Sequence, residues 1–76
     1  MTSLGERIRK IRQDKGITQK FVSEKLGYEN ASTLCAIEKG ERNLPSKKIP
    51  IIVEVLDVSY EELFFDEKLR ETQITD

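Results

Sequence analysis

The sequence predicts an all-α fold, a compact bundle of five short helices. Three observations predict it. Apolar residues recur at helical spacing along the chain, with none of the period-two alternation that marks strands. Two pairs, Ser3/Glu6 and Ser59/Glu62, have the spacing of a capping box, in which each side chain satisfies a free backbone amide at a helix start. Gly16, Gly27 and Gly40 follow apolar-periodic stretches, where a helix end favours a residue free to turn left-handed.

Each element follows in order. Leu4, Ile8 and Ile11 form one stripe of a first helix that Ser3 opens and Gly16 ends. Thr18 starts a second helix with Phe21, Val22 and Leu26 inward, and Gly27 ends it. Asn30 is expected to cap a third helix, Asn30–Lys39, carrying Leu34 and Ile37 inward. A polar connection follows from Glu41 to Pro45, with Leu44 beneath it. Ser46 is placed to cap a fourth helix bearing Ile49, Ile52, Val53 and Leu56. Pro50 lacks an amide donor and suits only the first turn, so either the helix starts there or that turn is distorted. Ser59 opens a fifth helix with Tyr60, Leu63 and Phe64. Residues 1–65 therefore read as one domain, and 66–76 as an acidic tail, frayed or part of a dimer contact.

Composition narrows the function. Seventy-six residues make one small domain. One Cys and no His exclude an intramolecular disulfide and a Cys/His zinc cage, so no metal or cofactor is expected. No apolar run approaches the ~20 residues that span a bilayer. The start has neither the basic-then-apolar form of a signal peptide nor a Gly at position two, so a cytoplasmic chain without a membrane partner is expected. There is no Walker-type Gly-Lys-Ser/Thr and no Gly-x-Ser-x-Gly, and the carboxylates lie on amphipathic helix surfaces, so no catalytic residue is expected.

Charge points elsewhere. Thirteen Lys/Arg against fourteen Asp/Glu leave a net of −1, which taken whole argues mildly against nucleic acid. Residues 1–53 hold eleven Lys/Arg and six Asp/Glu, a net of +5, and residues 54–76 hold two and eight, a net of −6. Such an asymmetry suggests a nucleic-acid or membrane partner for one face, or a solvated tail that aids solubility.

The second and third helices, joined by a tight Gly-containing turn, have the form of a helix-turn-helix or of an inert αα-corner. Ile17-Thr18-Gln19, Leu26-Gly27-Tyr28, Ser32-Thr33-Leu34, Ile37-Glu38-Lys39-Gly40 and Leu56-Asp57-Val58-Ser59 together closely resemble the phage-repressor/Cro-type helix-turn-helix family. The resemblance covers residues 4–65 and implies the five-helix lambda-repressor-like DNA-binding fold. It also implies a sequence-specific regulator, a small repressor or operon controller, that binds a double-stranded operator of two half-sites as a homodimer. Seventy-six residues leave no room for a sensor segment, so no small-molecule ligand is expected. Control would then rest on concentration and dimerisation.

By the same resemblance, Gln19 contacts DNA phosphate, assisted by backbone amides of its helix start. Arg12 and Glu38 form a structural ion pair. Ala31, Ser32, Thr33 and Ala36 are the base-reading positions, and Asn30, by its own chemistry and not by the resemblance, joins them as a side chain able to read adenine. Lys39, Arg42 and Asn43 follow the recognition helix where members touch the backbone. Arg7, Lys10 and Lys20 join the phosphate contacts by their placement among the basic residues. Gly27 and Gly40 enclose twelve residues, one more than the commonest family spacing, so the turn is longer, and Tyr28 packs over it or touches phosphate.

The base-reading set lacks the bidentate Arg, Asn or Gln side chains that discriminate most strongly, apart from Asn30, whose other role is capping. Modest direct readout through thymine methyl groups, with some reliance on DNA shape, is expected. Cys35 reads as a small half-buried filler or as a redox-sensing thiol beside DNA. The segment from Val58 to Phe65 carries more aromatic surface than one short helix buries, so Phe65 and Leu69 are expected to meet another chain. A second copy is the simpler partner. The alternative is a protein-interaction module, antitoxin-like or regulator-binding, for which DNA is secondary.

Overall fold

Local signals build the helices. In the computed structural model, which describes residues 3–64, Ser3 Oγ accepts the Glu6 N–H at 3.3 Å and Glu6 Oε1 accepts the Ser3 N–H at 3.3 Å. That reciprocal cap opens α1 (Leu4–Asp14). Thr18 Oγ1 accepts the Phe21 N–H at 3.1 Å and opens α2 (Gln19–Lys25). Next come α3 (Ser32–Glu38) and α4 (Ile49–Leu56). The Ser59/Glu62 cap, with both bonds at 3.1 Å, opens α5 (Tyr60–Phe64). No strand occurs among the described residues.

Every helix supplies the core. Ile8, Val22, Leu26, Leu34, Ile37, Ile52, Leu56 and Leu63 are buried together, with Leu4, Ile11, Ile17, Leu44, Ile49 and Val53 packed around them. Their removal from water is the main favourable term for so small a domain. At Gly5 the backbones of α1 and α3 nearly touch, because a Cβ there would sit 2.0 Å from the Ile37 carbonyl oxygen. This contact seats the third helix firmly against the first.

Several expectations change. The third helix is shorter at both ends than Asn30–Lys39, with Ala31 in place of Asn30 at its N-cap and Lys39 at its C-cap. Asn30 Oδ1 instead accepts the Ser32 N–H at 2.9 Å, a local turn two residues ahead that competes with helix continuation. Gly27, at φ +84°, provides the left-handed step into this longer turn. Phe21 was expected inward but is 46% exposed. Val22, Ser23 and Leu26 take the inward side, and the Lys25 ammonium lies 5.3 Å from the Phe21 ring centre. Ser46 does not cap the fourth helix with its side chain. A 3₁₀ turn, Ser46–Lys48, leads in, and Pro50 falls in the first turn of α4, where its missing N–H costs no helical bond.

Three cations close helix ends from inside the fold. Lys48 Nζ donates to the Leu26 carbonyl at 2.6 Å after α2 and lies 4.9 Å from the half-buried Tyr28 ring. Lys15 Nζ donates to the Leu56 and Asp57 carbonyls at 2.6 and 2.9 Å, where α4 ends. Arg7 Nη1 donates to the Leu63 carbonyl at 3.1 Å in α5. Each answers orphan carbonyls and the negative end of a helix dipole. Part of the basic excess of residues 1–53 is thus used within the fold.

Candidate nucleic-acid interface

Glu38 organises the site. It is 2% exposed at the end of α3, and its Oε2 accepts from Arg12 Nε at 2.8 Å. Its Oε1 accepts from Arg12 Nη2 at 3.1 Å and from Gln19 Nε2 at 2.9 Å. Arg12 Nη1 donates to the Ile17 carbonyl at 2.9 Å. One carboxylate therefore ties α1, the start of α2 and α3 together, with both oxygens in charge-assisted hydrogen bonds. Gln19 is held at the first position of α2 with its side-chain carbonyl left over.

Beside this network lies an open cleft of about 450 Å³, lined by Arg9, Gln13, Thr18, Gln19, Cys35 and Lys39 as well as the ion pair. Arg9 and Gln13 were not among the expected site residues. The signal was present: Arg9 stands about 60° from Arg12 around α1, whereas Arg7 stands about 140° away. Arg7 is turned to α5, and Lys10 pairs with Asp14 at 3.5 Å on an exposed flank. Lys20 lines a smaller recess of about 230 Å³ with Ser23, Tyr28, Asn30 and Ala31. The buried Ser23 Oγ has no hydrogen-bond partner there. Lys39, Arg42 and Asn43 are exposed just after α3.

On α3 itself Ser32 is exposed, and Thr33, Cys35 and Ala36 are half-buried, as is Ala31 at its N-cap, while Leu34 and Ile37 face the core. A helix whose inner side is locked and whose outer side is free, with cations at its flank and its end, matches the second helix of a helix-turn-helix. The helix-turn-helix family model matches residues 8–63, most of the chain. The chain belongs to the Cro/C1-type helix-turn-helix family of DNA-binding transcriptional regulators.

Solved structures of the same architecture cover the chain almost end to end. The restriction-modification controller protein C.AhdI from Aeromonas hydrophila is 30% identical at a TM-score of 0.72, over 83% of this chain and 94% of its own. The wild-type restriction-modification controller protein C.Esp1396I is 29% identical at a TM-score of 0.71, over 99% and 94%. A mutant of that controller is 30% identical at 0.71, over 96% and 89%. Comparison with curated protein sequences finds no match. Among the described residues no helix is long and apolar enough to cross a membrane.

Proposed function

We propose that this family member controls transcription of a restriction-modification operon, as a homodimer on a duplex operator of two half-sites. The observation that carries the DNA-binding mode is the outer side of α3 bordered by Arg9, Lys20 and Lys39, cations without an internal partner. Among the described residues, the side chains of Arg9, Lys20, Lys39, Arg42 and Lys47 have no hydrogen bond, ion pair or ring contact within the chain. These five, with Gln19 and Asn43, are the proposed phosphate contacts. Arg7 is assigned to anchoring α5, and Lys10 to its exposed pair. α3 enters the major groove, where its solvent-facing residues meet base edges.

The operon type is supported by the three controller structures, at 29–30% identity over most of this chain. Dimerisation is supported by Tyr60 and Phe64 on α5, which are 51% and 41% exposed, and by exposed Ile51 on α4. Phe65 and Leu69, the expected dimer contacts, lie outside the described residues. The proposed place of action is the cytoplasm, with no membrane partner.

Selection of bound fragments from host genomic DNA, paired with gel filtration, tests this reading. A dimer that enriches a two-part site upstream of restriction or methyltransferase genes is the expected result. A monomer that enriches no fragment would refute it and favour the protein-interaction alternative, to which the exposed aromatics of α5 would then belong.

A further inference from the structure

The outer strip of α3 runs Ser32, Ala36, Lys39, at i, i+4 and i+7, with Thr33 and Cys35 on its two flanks. The polar groups that begin the strip bond to each other. Asn30 Oδ1 accepts the Ser32 N–H at 2.9 Å and also the Ser32 hydroxyl proton. A bidentate match to adenine needs one donor and one acceptor from the same amide. Asn30 in this arrangement offers only its amino group, and Ser32 has no proton left to give. The middle of the helix carries Ala36 and Thr33, both half-buried, whose methyl groups are the apolar part of this face. Cationic Lys39, Arg42 and Arg9 supply attraction around this face but no methyl discrimination.

Resting on the operator-binding reading above, we infer that Thr33 and Ala36 recognise pyrimidine C5-methyl groups, so that this chain reads cytosine C5 methylation as well as thymine. Apolar contact with the thymine methyl is the readout open to Ala and Thr side chains in the major groove. 5-Methylcytosine carries the same methyl on the same ring carbon, on the same groove edge. A cytosine beneath Thr33 or Ala36 leaves that contact unfilled, and methylation fills it. Occupancy of the operator then rises with methylation at those positions.

The test starts from an operator selected out of random duplexes by the full chain. Affinity is then measured with single thymines replaced by deoxyuridine, which lacks only the methyl. It is also measured with the same pair changed to cytosine·guanine or 5-methylcytosine·guanine. Burial of one methyl predicts about fourfold weaker binding for deoxyuridine at one or two positions per half-site, and about fourfold tighter binding for 5-methylcytosine than for cytosine there. Thr33→Ser or Ala36→Gly brings the thymine-to-uracil ratio to one at its own position. That ratio is taken within one protein, so any loss of folded fraction cancels. A ratio of one at every thymine in the wild type overturns the inference and leaves operator binding standing. A thymine effect without a 5-methylcytosine effect overturns methylation reading alone. Failure to enrich any site overturns operator binding itself, and this inference with it.

Discussion

Arg12 and Glu38 make a buried charge pair that ties three helices together, and Arg12→Met exposes its size. The substitution keeps an apolar stem of similar length but leaves the Glu38 carboxylate, 2% exposed, with Gln19 as its one remaining partner in the network. Removing one member of a buried pair costs about 3–5 kcal/mol, because the other charge stays buried and unpaired. A chain of 76 residues has roughly 4–11 kcal/mol in total at typical stability per residue. The variant therefore loses about a quarter or more of its stability. With a urea dependence of about 1 kcal/mol per molar, the unfolding midpoint falls by about 3 M or more. Lys10→Ala is the control, since the Lys10–Asp14 pair is 76% and 63% exposed and such pairs contribute at most about 1 kcal/mol. The double variant Arg12→Met/Glu38→Met removes both charges and is expected to return most of the loss. A midpoint for Arg12→Met no lower than for Lys10→Ala would refute the reasoning. So would a double variant as unstable as the single one.

The remaining predictions concern other contacts. Gly5→Ala drives a methyl against the Ile37 carbonyl, 2.0 Å away, and should cost about 1–3 kcal/mol, seen as a lower Tm. Ser23→Ala removes a buried hydroxyl with no partner and favours the helix, so urea unfolding should show a gain of about 0.5–1 kcal/mol. Arg9→Ala should flatten the salt dependence of DNA binding by about 0.9 per subunit with unfolding unchanged. Arg7→Ala should do the opposite, lowering stability through the lost Leu63 contact while the salt slope holds. Equal effects of the two substitutions on the slope would reverse the assignment.

The contrast between these arginines shows what the sequence carries and what it does not. Arg7 and Arg9 are two residues apart and chemically alike, yet about 160° apart around a helix. Only the docking of α5 on one side, and of α2 and α3 on the other, decides which binds within the fold. Gly5 was equally silent, because the carbonyl that demands it belongs to Ile37, more than thirty residues later. Phe21 misled because the inward side of α2 is filled by Val22, Ser23 and Leu26, which leaves Phe21 at its edge, about 100° from Val22 on the side away from Ser23. The Ser3/Glu6 and Ser59/Glu62 caps and the Gly27 turn were legible because their chemistry is complete within a few residues. The Arg12–Glu38 contact came only through family resemblance, since nothing local in either segment names its partner. Asn30 showed the limit of local reading: a side chain expected to cap the third helix bonds to Ser32 instead, and Ala31 takes the N-cap.

The most direct test of the central claim is the affinity for the selected duplex across a range of salt concentrations. Five phosphate-binding cations in each of two subunits predict a linear fall of log K with log salt and a slope of about −9. Fewer engaged cations reduce that slope in steps of about 0.9, so the value also counts contacts. A flat response, at any affinity, would contradict α3 docking in the groove between phosphate-bound cations.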